Sequence, residues 1–133
     1  MRSMSRRSDD ELAQSWHELM RDYHRLTCRL DRELETNHGI SGSDFEVLQQ
    51  LYASKDRSAK MNELAENVHL SQSALSRLVA RLEKDGLIER CMCTEDRRAV
   101  FAQLTKAGAK RYEAARPTQR AVLRDAATAA GVS

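Results

Sequence analysis

The chain has 133 residues, of which 32% are charged, 5% aromatic and one a proline, and its formal net charge is +2. That length carries one domain with a real core and is too short for two, while the scarcity of aromatic residues and proline disfavours a β-sandwich and points to a mainly helical body. No apolar run approaches the ~18 residues of a membrane span, the opening MRSMSRRSDDE leads into charge instead of a signal-peptide core, and three cysteines do not make a disulfide framework, so a cytoplasmic protein with free thiols and no membrane partner is expected.

In chain order, the first signal is a stripe of Leu12, Trp16, Leu19, Tyr23, Leu26, Leu30 and Leu34, stepping by four and three along one face of a long helix. Gly39, just past the last periodic residue, suits the left-handed turn that ends a helix. A second helix is predicted from Ser43, where Ser43 and Glu46 have capping-box spacing ahead of Val47, Leu48, Leu51 and Tyr52. KDRSAK then reads as a polar break.

The most informative stretch is MNELAENVHLSQSALSRLVARLEKDGLIER, residues 61–90. Leu64, Ala65 and Val68 mark a short helix, residues 67–70 a tight turn, and Ser71 the cap of a second helix that buries Leu75, Leu78, Val79 and Leu82 and stops at Gly86. Two short helices joined this way predict a helix-turn-helix. The outward side of the second helix carries Ser73, Ser76, Arg77, Ala80 and Lys84, with Gln72 at its margin. Small and hydrogen-bonding residues in its first turns suit the end that such a helix presents to base edges.

Residues 87–93 and 99–104 read as two strands around the polar turn TEDRR, with Val100, Ala102 and Leu104 alternating inward. A hairpin in that position is a wing. From Thr105 a last helix runs through Ala109 and Tyr112 toward Pro117 and resumes beyond it, and residues 105–124 carry Lys106, Lys110, Arg111, Arg116, Arg120 and Arg124 against Glu113 alone among acids. A basic face is therefore expected on a nearly neutral chain.

The ordered set of MNELAENVHLSQSALSRLVARLEKDGLIER and TEDRRAVFAQLTKAG, with SDFEVL at 43–48 ahead of it, resembles the MarR family of winged helix-turn-helix transcription regulators over roughly residues 10–125. The resemblance implies a single domain, residues 1–133, mainly α with a small β-hairpin wing. Residues 8–38 and 105–130 would be dimerisation helices, and residues 43–104 the winged helix-turn-helix lobe. It implies a homodimer on double-stranded DNA, with the helix after the turn in the major groove and the wing tip in the minor groove. Carried over by position, Ser71, Gln72, Ser73, Ser76 and Arg77 would meet bases or phosphates. Asp96 would orient Arg98, the minor-groove arginine, and Arg97 would lie nearer the backbone. Where family members continue into a further apolar helix, this sequence reads RDAATAAGVS, so the dimer contact is expected to rest on the first helix and residues 105–130.

Competing readings follow from single features. Arg97 and Arg98 in isolation would read as a solvated turn; the helix-turn-helix before them favours a nucleic-acid role. Cys91 and Cys93, two apart on a strand, lie roughly 6.6 Å apart on one face, near the upper limit for a disulfide and without enough neighbouring ligands for zinc, so they read as thiols and no metal or cofactor is expected. His17, His24 and Cys28 fall on one flank of the first helix, which leaves a metal- or redox-responsive regulator of the same fold as an alternative. Trp16 and Tyr23 read first as core residues; second, the family resemblance implies that they could line a pocket for a small aromatic effector that releases a repressor from a palindromic operator. An enzyme is not expected, since no nucleophile elbow, glycine-rich phosphate loop or histidine-carboxylate pair is present. The remaining rival is a winged helix used as a protein-interaction module, which would need exposed apolar anchors where this sequence has serines, Arg77 and Lys84.

Overall fold

The computed structural model describes residues 8–92 and 99–129. In chain order these form α1 (Asp9–His38), α2 (Gly42–Ala53), a 3₁₀ turn (Lys55–Arg57), β1 (Ser58–Lys60), α3 (Met61–Asn67), α4 (Gln72–Lys84), β2 (Ile88–Met92), β3 (Val100–Leu104) and α5 (Lys106–Ala129). The expected fold class holds: mainly α, a winged helix-turn-helix, with long helices at both ends.

α1 starts at a reciprocal cap in which Ser8 Oγ accepts the Glu11 N–H at 3.1 Å and Glu11 Oε1 accepts the Ser8 N–H at 2.9 Å. The bond from the Ser8 backbone, then that with its side chain, holds the Glu11 carboxyl below its ordinary value. The helix ends where predicted: Gly39 has φ 69° and donates to Glu35 O at 3.1 Å. Its second half packs on α5, tied by Arg29 to Asp125 at 2.8 Å and by His38 to Thr118 at 2.8 Å. Arg111 Nη1 donates to the His38 carbonyl, satisfying an acceptor that the helix end leaves open.

Among the described residues nothing covers the first half of α1. Leu12, Trp16, Leu19 and Tyr23 are 52%, 60%, 61% and 68% exposed, so the core reading of Trp16 and Tyr23 is corrected. Periodicity identifies an apolar face, and here that face extends past the body of the protomer.

α2 begins two residues earlier than expected. Ser41 is its cap, accepting the Asp44 N–H at 3.0 Å while Asp44 accepts the Ser41 N–H at 2.9 Å. Neighbours select this start over Ser43: Asp31 accepts the Gly42 N–H at 2.7 Å, and the buried Asp44 is ion-paired with Arg81 of α4. KDRSAK is likewise more than a break. Ser58 to Lys60 pair antiparallel with Gln103 to Phe101, and β3 also pairs antiparallel with β2, giving the order β1-β3-β2. α5 runs as one helix through Pro117, which costs it a single backbone donor.

Leu34, Phe45, Leu48, Leu75, Leu82 and Tyr112, all essentially buried, join α1, α2, α4 and α5 in one core. α5 approaches the sheet closely at Gly108, where a Cβ would lie 2.2 Å from Leu87 O and 2.6 Å from Leu104 Cδ1.

Candidate nucleic-acid interface

The helix-turn-helix closes on a tight backbone motif. After α3, the Leu70 N–H reaches Ala65 O at 3.0 Å and the His69 N–H reaches Glu66 O at 3.2 Å, with His69 left-handed at φ 59°. This pairing satisfies the last carbonyls of α3 and turns the chain within three residues. Histidine tolerates that conformation better than a branched residue does. α4 then starts at Ser71, whose Oγ accepts the Ala74 N–H at 3.1 Å.

On α4 the apolar positions Leu75, Leu78, Val79 and Leu82 are buried, which forces the opposite face outward. Gln72, Ser73, Arg77, Ala80 and Lys84 are exposed there, and Ser76 is half-buried. The Ser71 hydroxyl, grouped with the readers in the sequence, is occupied by the cap and lies 3.3 Å from Ser73 Oγ. Its first duty is to orient the helix. No acidic residue stands in the first turn of α4, so the positive end of its backbone dipole is not neutralised.

Three further residues hold this helix, and two of them, Arg90 and Arg81, carry no role in the sequence reading. Arg90 of β2 donates from Nη2 to the Ser76 carbonyl at 2.7 Å and lies 3.4 Å from Glu83, stapling α4 to the hairpin. Arg81 joins α4 to α2 through Asp44. Thr105, expected only as a cap, bonds both ways: Oγ1 accepts the Gly108 N–H at 3.0 Å and donates to Gly86 O at 2.7 Å. Gly86, φ 78°, ends α4 as predicted, with the Leu87 N–H reaching Leu82 O at 2.9 Å. The end of α4, the base of the hairpin and the start of α5 are thus one hydrogen-bonded unit. Arg90 gave a faint signal, as a cation inside an apolar strand.

β2 and β3 form the hairpin, and Met92 opposite Val100 is its last described rung. Cys93, Asp96, Arg97 and Arg98 lie outside the described residues. Cys91 and Cys28 are exposed free thiols, and Cys28 Sγ lies 3.6 Å from His24 Nε2. Among the described residues no group of three or more His, Cys, Asp or Glu side chains is placed to hold a metal, and no helix is long and apolar enough to cross a membrane.

A cleft of about 390 Å³ opens between the second half of α1, α2, the turn of the helix-turn-helix and α5. Tyr23 lines it; Trp16 does not.

The MarR family model matches residues 40–100, from just before α2 to the first residue of β3. Sco3205, a MarR family transcriptional regulator from Streptomyces coelicolor solved in complex with DNA, shares 31% identity and superposes with a TM-score of 0.85, covering 94% of this chain and 78% of its own. The chain belongs to the MarR family. In sequence, this MarR-family chain is also similar to the transcriptional repressor YetL of Bacillus subtilis (strain 168), 32% identical over 75 residues, 56% of this chain and 45% of YetL. The regulator MhqR of the same organism is 28% identical over 90 residues, 68% of this chain and 60% of MhqR. The aligned parts thus span about half the length of these two relatives.

Proposed function

We propose that this MarR-family chain is a sequence-specific DNA-binding transcription regulator: a repressor that acts as a homodimer on an inverted-repeat operator and releases it when a small aromatic effector binds. The observation that carries the reading is the outward face of α4. Its first turns present Gln72, Ser73 and Arg77 with no acid among them, on a helix held by the Asp44–Arg81 pair and Arg90. Amide and guanidinium groups at the N-terminal end of such a helix match the donor and acceptor pattern of major-groove base edges, and the dipole favours phosphate. Sco3205, which shares this fold, was solved on DNA.

The uncovered stripe supports dimerisation. Leu12, Trp16, Leu19 and Tyr23 are exposed along one stripe of α1, and Leu123 is exposed near the end of α5. A second copy burying the same surface would meet it with two-fold symmetry, and its two α4 helices would then face successive major grooves, with half-sites about 10 base pairs apart. Residues 8–38 and 105–130 serve this contact, and residues 43–104 serve DNA. At the wing, Arg98 enters a narrow minor groove, Asp96 orients its guanidinium, and Arg97 meets phosphate. The cleft suits the effector, because its wall includes Val68, His69 and Leu70, the residues immediately before the cap of α4.

Selection of bound DNA from a random pool tests the reading. A palindromic consensus with that half-site spacing is the expected result. Recovery of no consensus, or of one asymmetric half-site with a protein sedimenting as a monomer at micromolar concentration, would overturn it.

A further inference from the structure

The cleft has a charge character that bears on what it can hold. Along α1, Tyr23, Leu26, Leu30, Asp31 and Leu34 recur at helical spacing and face it together. Phe45 of α2 and Leu123 of α5 complete apolar walls. Into this surface are set two half-buried carboxylates, Asp31 and Glu46. Asp31 Oδ1 accepts the Gly42 N–H at 2.7 Å, and Glu46 follows Gly42 by one helical turn, roughly 6 Å along the axis of α2.

Neither carboxylate has a cationic partner among the described residues, whose ion pairs are Arg21–Asp22, Arg29–Asp125, Arg81–Asp44 and Arg90–Glu83. Among the described residues no lysine or arginine lines the cleft, and the single imidazole there is that of His69. Asp31 has the Gly42 N–H as a hydrogen-bond donor and Glu46 has no bonded partner among the described residues, so neither half-buried charge is met by a counter-ion. A cation of the ligand would supply it. Gln119 is only 6% exposed yet lines the cleft; its Oε1 accepts from Arg120 at 2.6 Å, and its amide nitrogen has no partner among the described residues. That nitrogen is a hydrogen-bond donor and by itself gives no preference for a cation, which the two carboxylates alone supply.

We propose that the cleft selects an apolar cation, an aromatic body of one or two rings bearing a protonated amine, and rejects the aromatic carboxylates of the same shape. The inference rests on the reading of this cleft as the effector site and names the class of effector. The rings occupy the space between Leu26, Leu30 and Phe45, and the ammonium lies between Asp31 and Glu46. Tyr23 at the mouth offers a π face to a cation. An anionic head in that position would face two like charges.

The test uses three molecules of one shape on the full chain without DNA: 1-naphthylmethylamine, 1-naphthalenemethanol and 1-naphthoate, titrated calorimetrically at neutral pH. The amine should bind about tenfold tighter than the neutral alcohol, and the naphthoate more weakly than either. Glu46→Gln, at a side chain with no other partner among the described residues, should reduce the preference for the amine several-fold while leaving the alcohol unchanged. Asp31→Asn, which keeps an acceptor for the Gly42 N–H, should do the same, and the double variant should not discriminate. Equal or tighter binding of naphthoate, binding of none of the three, or an undiminished preference in the double variant would overturn the proposal. Because no DNA is present, these outcomes are read independently of whether the chain binds an operator, which the selection experiment decides.

Discussion

Replacing Gly108 by alanine sets two physical effects against each other with opposite signs. Gly108 lies inside the first turn of α5, where exchanging glycine for alanine ordinarily stabilises a helix by about 1 kcal/mol. At this position the new Cβ would sit 2.2 Å from Leu87 O and 2.6 Å from Leu104 Cδ1. Leu104 can turn aside, but Leu87 cannot do so cheaply. Its carbonyl accepts the Thr105 N–H at 3.1 Å, and its N–H closes the end of α4 on Leu82 O. Relief therefore requires α5 to move away from the α4 terminus by about 1 Å, at an overpacking cost of about 1–3 kcal/mol plus about 1 kcal/mol for a weakened hydrogen bond. The net expectation is a loss of about 1–3 kcal/mol, or roughly 3–15 °C in Tm for a domain of this size. Thermal unfolding followed by circular dichroism at 222 nm measures it. Gly86→Ala is the control, because a Cβ there meets nothing within 4 Å and its cost comes only from φ 78°, about 1 kcal/mol. An unchanged or raised Tm for Gly108→Ala would refute the reasoning, since helix propensity would then have outweighed the contact.

Other expectations concern single side chains. Arg81→Ala removes the partner of the buried Asp44 but not its bond with Ser41, so chemical denaturation should show a loss of about 1–2 kcal/mol, tempered because Arg81 itself is more than half exposed. On operator DNA, Arg98→Ala should weaken binding by about 1–3 kcal/mol per subunit, and Asp96→Ala should weaken it too although it removes a negative charge; tighter binding by the Asp96 variant in a gel-shift titration would return the wing to a solvated turn. Leu19→Glu, in the uncovered stripe of α1, should raise the dimer dissociation constant at least about tenfold in analytical ultracentrifugation while leaving the monomer folded. The Glu11 carboxyl titrates below its ordinary 4.5 in the folded chain, so its contribution to the first turn of α1 is present above that value and lost as pH falls through the lowered one; the protection of the amides at residues 9–12, measured relative to intrinsic exchange at each pH, should fall only on that acid side.

Much of the DNA-reading lobe could be read from residues near one another in sequence. The turn before Ser71, the buried positions Leu75, Leu78, Val79 and Leu82 and the stop at Gly86 depend on helical spacing and local caps, and the structure places all of them as expected. Gly39 is a signal of the same kind. Contacts between distant residues decided the rest. Two capping boxes fit the start of α2 equally well on spacing, Ser41 with Asp44 and Ser43 with Glu46, and the earlier one forms because Arg81, 37 residues away, meets Asp44. β1 has no pattern of its own at three residues and exists because its backbone pairs with β3. Trp16 and Tyr23 were legible as one apolar face, but what covers a face is not a property of its own period. Arg90 behind Ser76, and the two carboxylates on the cleft wall, take their places only when α1, α2, α4 and the hairpin have packed. A charge signals its type in the sequence, whereas its partner, or the lack of one, depends on which elements the core brings alongside it.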